Sequence, residues 1–255
     1  MISKQEKFLD FFQNIKKNAL VTVFARPSMG KTTLALSIAQ KYAIEKHIPI
    51  LIFSLEMTAT HLTKRILCSE AELSMQHVKT GELNSQQWGK IADITNKLKN
   101  IPLLIDDTQG ITTSEIKAKA GEVKQKYPNL GLIIIDYLQL IEDKSTQDRF
   151  QAISNITRNL KAFAHELSVP VFVLSQLPRR GIEDRKDKRP VLSDIKHSFV
   201  PEDIIDVILF MYRPSFYTKN KDTDGKTELI VAKNNYGDCK TYNVMLDTKI
   251  PKFVL

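Results

Sequence analysis

Long apolar runs are missing from these 255 residues: no eighteen successive apolar residues occur, so no segment is suited to cross a membrane as a helix. Cysteine is almost missing as well. Cys68 and Cys239 are the only two, far apart and without metal-ligand spacing, which excludes a disulfide-stapled scaffold and leaves reduced thiols, as in a cytoplasmic protein. The opening residues Met1-Ile2-Ser3-Lys4-Gln5-Glu6-Lys7 are polar and do not read as a secretion signal. No low-complexity tract occurs either. What is present is globular in composition, 42% apolar and 26% charged, with length for one large α/β domain. Lysine and arginine exceed aspartate and glutamate by 37 to 29, a net charge of +8. That balance favours a polyanionic partner, although a basic surface is often only a solvated one.

The most informative stretch is Val21-Thr22-Val23-Phe24-Ala25-Arg26-Pro27-Ser28-Met29-Gly30-Lys31-Thr32-Thr33. A β-branched and aromatic run leads in, Pro27 and Gly30 break it, and an apolar-periodic helix pattern follows over 34–42. Gly30-Lys31-Thr32 is the second half of the phosphate-binding signature. Glycine lets backbone approach an anion, helix-start N–H groups point at it, a lysine reaches β- and γ-phosphates, and a threonine hydroxyl suits Mg²⁺. Ala25 stands where the signature has its first glycine. A chance Gly-Lys-Thr at a helix cap is the alternative; a strand before and a helix after weigh against it. The pattern implies a bound nucleoside triphosphate.

Along the chain, Phe8, Leu9, Phe12 and Ile15 share one face of a helix over about 4–17. A buried-type strand over 48–53 ends in Ser54-Leu55-Glu56, and the next helix runs through Leu62, Ile66 and Leu67, capped near Thr58 or Thr60. Helices follow over about 74–80 and 85–99, the latter with Trp88, Ile91, Ile94 and Leu98 on one face. A strand over 101–105 ends in Asp106-Asp107, read as a turn and cap. A helix over about 113–126 begins with the capping box Thr112-Thr113-Ser114-Glu115. Then come a strand at Leu132-Ile133-Ile134-Ile135-Asp136, a helix over about 147–167, and a strand over 169–174 ending in Ser175-Gln176. Residues 178–200 are polar and irregular; strand-like runs over 204–212, 228–233 and 242–246 close the chain, with a turn at Asn235-Tyr236-Gly237-Asp238.

Alternating strands and helices predict a mainly parallel α/β sheet covered on both faces, with ligands outside the carboxyl ends of its strands. That rule gathers the loop 25–33, Glu56, Asp136 and Gln176 along one edge. Asp136 fits the acidic partner of Mg²⁺ in phosphate-loop enzymes. Glu56 fits a general base for attacking water, or plainly a first-turn helix carboxylate. Gln176 fits a γ-phosphate donor, or a strand-end amide bonded to backbone.

Ala25-Arg26-Pro27-Ser28-Met29-Gly30-Lys31-Thr32-Thr33, Phe53-Ser54-Leu55-Glu56-Met57, Ile135-Asp136-Tyr137-Leu138-Gln139-Leu140, Leu174-Ser175-Gln176-Leu177 and Asp187-Lys188-Arg189-Pro190-Val191-Leu192-Ser193-Asp194 together resemble the DnaB replicative helicases. The resemblance runs from about residue 8 to the C-terminus, and Ala25 matches a variant common in that family. It implies a RecA-like P-loop NTPase with a mainly parallel sheet, flanking helices and antiparallel strands at its C-terminal end. The expected protein is an ATP-hydrolysing helicase motor, an oligomer (usually a hexameric ring) around single-stranded DNA, with a primase or helicase loader as further partner. A single domain over 1–255, carrying the N-terminal helix and no collar domain, is expected. Residue by residue, Arg26, Pro27, Ser28, Met29, Gly30, Lys31, Thr32 and Thr33 would cradle ATP. Thr32 and Asp136 would serve Mg²⁺, Glu56 would be the catalytic glutamate, and Gln176 would couple the γ-phosphate to DNA-binding loops. Arg65 and Arg213 would contact phosphate and base, or be surface arginines. Arg179, Arg180, Lys196 and Phe199 would face DNA.

The chain departs from the family in two motifs. A late-strand Lys-x-Arg that reaches a neighbour's ATP is here Lys233-Asn234-Asn235, so Lys233 is the finger candidate without the planar fork of arginine. The DNA-loop pattern with Ser-Gly becomes Lys196-His197-Ser198-Phe199, where Phe199 would stack on a base or anchor the loop. These departures motivate a second reading, a non-unwinding ATP-binding paralogue or replication accessory that uses nucleotide as an assembly switch. A RecA-like recombinase or clock-type ATPase is a third, disfavoured by Asp136-Tyr137-Leu138-Gln139-Leu140.

Overall fold

Apolar runs of four to six residues, too short for buried helices, become the middle of a sheet. In the computed structural model, which describes residues 6–218 and 224–255, the strands are β1 (Leu20–Ala25), β2 (Ile50–Ser54), β3 (Leu103–Asp106), β4 (Leu132–Asp136), β5 (Val171–Gln176), β6 (Val207–Tyr212), β7 (Lys226–Asn234), β8 (Thr241–Asp247) and β9 (Lys252–Val254). Among the described residues they form one sheet in the order β3-β2-β4-β5-β1-β6-β7-β8-β9. Pairing is parallel from β3 to β6 and antiparallel from β6 to β9. Every residue of β1, β2 and β4 is buried, as a strand covered on both faces requires.

Helices α1 (Glu6–Gln13), α2 (Lys31–Gln40) and α3 (Ala59–Ala71) cover one face, where Phe8, Phe12, Leu34, Ile38, Leu62 and Ile66 pack with Val21, Val23, Ile52 and Ile134. Helices α6 (Thr113–Lys126) and α7 (Arg149–Leu167) cover the other, where Ile116, Ile153, Leu160 and Phe163 meet Phe53, Ile133, Ile135 and Val173. Burying such side chains stabilises the fold by roughly 1.5–3 kcal/mol each.

The caps follow the polar residues before each helix. Thr58 accepts from the His61 amide and starts α3; Thr112 and Glu115 form the capping box of α6; Asp148 caps α7. Asp106 and Asp107 act locally as well: Asp106 accepts from the Thr108 amide and the Lys119 ammonium, and Asp107 from the Ala59 amide at the start of α3.

Several expectations need correction. The helix expected over 4–17 has its first two residues outside the described ones and ends at Gln13, where the Asn14 and Ile15 amides turn to Phe11 and Phe12 carbonyls before the polar Lys16-Lys17-Asn18. The phosphate-loop helix continues past Gln40 as a wider π turn over Lys41–Glu45. Helices α4 (Met75–Thr80) and α5 (Ser85–Leu98) follow the expected spans, but α5 buries no residue fully and Trp88 is 52% exposed. The pair packs against α3, where Ile91, Ile94 and Leu98 of the expected face are half-buried and Leu98 reaches the core, so Trp88 alone of that face is exposed. Strand β9 was not expected; it pairs with β8 and returns Phe253 to the core.

Candidate active site

Strand register brings the four strand ends level. Ala25 pairs with Gln176 across β1 and β5, and Ser54 with Asp136 across β2 and β4. The Leu55 amide, just past β2, donates to the Asp136 carbonyl at 2.7 Å, which places Glu56 at the head of β4.

The loop after β1 turns by positive backbone angles, φ +63° at Ser28 and +101° at Gly30. Such turns aim amides inward and form an anion-binding concavity at a helix start. A Cβ on Gly30 would approach Phe253 Cε2 at 3.3 Å. Phe253 is held there because its amide donates to Ser37 Oγ on α2 at 2.9 Å. Met29, buried in the core, pins the loop from below, while Pro27 and Ser28 are exposed above it.

Lys31 and Thr32 open α2. The Lys31 ammonium is buried and lies 3.4 Å from both the Ala25 and Arg26 carbonyls, long contacts for so polar a group. Burial lowers its pKa, and the charges of Asp136 and Glu56 act against that shift. The Thr32 hydroxyl donates to Asp136 Oδ2 at 2.6 Å. Asp136 is only 3% exposed, and among the described residues its Oδ1 has no hydrogen-bond partner. Burial pushes the Asp136 carboxyl up to about 6; the Thr32 bond opposes this, Glu56 adds to it, and Lys31 and Arg65 oppose it. Glu56 is exposed, and Thr33 is buried within α2. Arg65, half-buried on α3, is thereby within electrostatic reach of the same carboxylate.

A hydroxyl beside a buried carboxylate with an unpartnered oxygen is a donor set that fits Mg²⁺ completed by phosphate and water. Among the described residues no group of three or more His, Cys, Asp and Glu is placed to hold a metal by itself.

Gln176 is half-buried at the end of β5, and its backbone rather than its side chain is engaged. Its amide donates to Gln139 Oε1 at 3.3 Å, while Gln139 Nε2 reaches Ser175 Oγ at 2.9 Å. Gln139 therefore ties the segment after Asp136 to the end of β5. It stood inside a family motif without a role, since its partners are 36 and 37 residues away. Glu183 was missed for a similar reason. It pairs at 2.7 Å with the guanidinium of buried Arg26, which also donates to the Leu177 carbonyl, joining the phosphate loop to the segment after β5.

The remaining candidates are dispersed. Arg213, just past β6, is largely buried, lies 4.0 Å from Asp224, and among the described residues its Nε has no hydrogen-bond partner. Lys233 donates to the Glu202 and Asp203 carbonyls of its own chain at 2.9 and 3.1 Å. Arg179, Arg180, Lys196 and Phe199 are exposed between β5 and β6.

A phosphate loop at the end of a central parallel strand, beside an acidic strand end, defines the RecA-like class of P-loop NTPase domains. The model of the DnaB-like helicase C terminal domain matches residues 3–254. The replicative DNA helicase DnaC of Bacillus subtilis (strain 168) is 44% identical over 241 residues, 94% of this chain and 53% of its own. The replicative DNA helicase DnaB of Geobacillus stearothermophilus is 43% identical over 241 residues, with the same two shares. Among solved structures, one of an ATPase domain superposes with a TM-score of 0.92 at 33% identity, covering 99% of this chain and 90% of its own. A DnaB-like replicative helicase, described with its interactions with primase, gives 0.88 at 35%, covering 93% and 57%. The chain belongs to the DnaB-like helicase C-terminal domain family. It spans about half the length of the curated relatives it matches.

Proposed function

We propose that this chain is the ATP-hydrolysing motor domain of a cytoplasmic replicative helicase, which moves along single-stranded DNA and separates duplex as an oligomeric ring. The observation that carries it is Thr32 bonded to a buried Asp136 with a spare oxygen, beside the buried Lys31 ammonium, in a member of this family.

In this reading the backbone amides of Arg26 and 28–33 and the Lys31 ammonium bind the phosphates, Pro27 having no N–H to offer. Thr32 and Asp136 hold Mg²⁺, which when bound neutralises charge developing on the phosphate oxygens. Glu56 takes the proton of water as its oxygen bonds the γ-phosphorus and the bond to the β-bridging oxygen breaks. Gln176 contacts the γ-phosphate and passes its loss to the segment after β5, helped by Gln139 and the Arg26–Glu183 pair. Arg65 and Arg213 contact phosphate and base, Lys233 of one subunit serves a neighbour's site, and Arg179, Arg180, Lys196 and Phe199 contact DNA. A primase partner is supported by the relative described with one; a helicase loader is a further expectation.

ATP turnover with and without single-stranded oligonucleotide, for the native chain, Lys31→Ala and Glu56→Gln, tests this. Both changes are expected to abolish DNA-stimulated turnover. Unchanged turnover in either removes the site.

A second reading, a non-unwinding nucleotide-binding relative, is favoured by two observations: Lys233 is engaged within its own chain, and Asn235 stands where the family pattern has arginine. Tight ATP binding with negligible turnover and no strand separation would select it.

A further inference from the structure

Phenylalanine is an unusual residue for a left-handed backbone, because its Cβ crowds the following carbonyl. Phe199 adopts φ +62°, ψ +12°. Its neighbours hold the main chain: Ser198 and Val200 are buried, and Ser198 Oγ donates to the Ile195 carbonyl at 2.7 Å. The Phe199 ring is turned outward and is 43% exposed, so Ser198 and Val200 rather than Phe199 anchor the loop. It meets Phe150, the second residue of α7, 59% exposed, with ring centroids 6.0 Å apart at 84°. An edge-to-face pair leaves both faces of the edge-presenting ring free. Two chain segments, 49 residues apart in number, thus place two exposed aromatic rings together, one of them on strained backbone. Strain of this kind collects at functional positions.

The surroundings are cationic. Arg149 precedes Phe150, and Lys196 and His197 lie just before Phe199, all exposed. Among the described residues neither Arg149 nor Lys196 is in an ion pair. Exposed aromatic faces flanked by unpaired cations match an unpaired nucleobase on a phosphate backbone, since rings stack on bases and cations follow phosphates.

We propose that Phe150 and Phe199 together form a stacking platform for a base of single-stranded nucleic acid, where the family's glycine would instead admit a backbone phosphate. This rests on the reading of the chain as a single-strand-binding motor. It adds Phe150, on a helix outside the DNA loop, and assigns contact to the base as well as to the backbone.

Fluorescence anisotropy of the full chain with an ATP analogue compares an oligothymidylate with an abasic oligonucleotide of equal length and charge. The native chain should bind the thymidylate more tightly. Phe150→Leu and Phe199→Leu keep apolar bulk but lose the flat face. Each should weaken thymidylate binding by about 5- to 150-fold, the range for one base–aromatic stack, and leave abasic binding within about twofold. Phe150→Tyr and Phe199→Tyr should keep native binding. Unchanged thymidylate affinity in the leucine variants overturns the platform, as does equal loss on both oligonucleotides. If the native chain binds neither, the single-strand reading itself fails and the platform with it.

Discussion

Asp136→Asn is expected to make the metal-free protein more stable while weakening its grip on magnesium. The native carboxylate is 3% exposed, with one oxygen bonded to Thr32 and the other bonded to nothing. Burial raises its pKa from 3.8 to about 6. Between those values the folded chain binds the proton more tightly than the unfolded chain, so stability falls as pH rises from about 4 to 6 and stays lowered above. At about 1.36 kcal/mol per unit, the cost at pH 7.5 is about 3 kcal/mol. Asparagine is uncharged and still offers Thr32 an acceptor. The gain is trimmed because the buried Lys31 ammonium loses the carboxylate that offsets its desolvation. A net gain of about 1–3 kcal/mol is expected at pH 7.5, at about 2–4 °C in Tm for each kcal/mol in a domain of this size. Urea or thermal unfolding in EDTA measures it. The advantage should be present above pH 6 and absent below about pH 4. A variant less stable than native at pH 7.5, or an advantage that ignores pH, refutes the reasoning.

Gly30→Ala should lower stability by about 1–3 kcal/mol, since φ +101° suits glycine and alanine must carry the strain. The dihedral dominates over the 3.3 Å approach to the Phe253 ring, so a double-mutant cycle with Phe253→Leu should show coupling below about 0.5 kcal/mol. Phe199→Gly should be more stable than Phe199→Ala by about 1 kcal/mol in urea unfolding, because both lose the ring and only alanine keeps a Cβ at φ +62°. Glu56→Gln should bind nucleotide about as tightly as native while losing turnover, which separates a base from a structural carboxylate by a binding and a rate measurement.

Most of the fold was legible because its signals are local. The runs at 132–136 and 20–25 are apolar enough to be buried on both faces, and the caps Thr58 and Thr112 stand beside the helices they start. The strand ends followed from the rule that places ligands at carboxyl ends of a parallel sheet. What escaped depends on distant partners. Strand β9 is only three residues long and directly follows Pro251, and only pairing with β8 and the bond to Ser37 make it a strand. Periodicity put Trp88 on an apolar face of α5, but periodicity does not say how far the opposing surface extends; α3 half-covers Ile91, Ile94 and Leu98 and leaves Trp88 exposed. Gln139, Glu183 and Phe150 take their places from contacts across 36 to 157 residues, with no spacing to betray them.

The proposed grip on magnesium and triphosphate is tested most directly by calorimetric titration of a non-hydrolysable ATP analogue, with magnesium or EDTA, into the native chain and Asp136→Asn at pH 7.5. Magnesium should tighten binding to the native chain, and the apparent magnesium affinity should fall about 10–100-fold in the variant. Equal magnesium dependence in the two proteins would contradict the placement of the metal at Thr32 and Asp136.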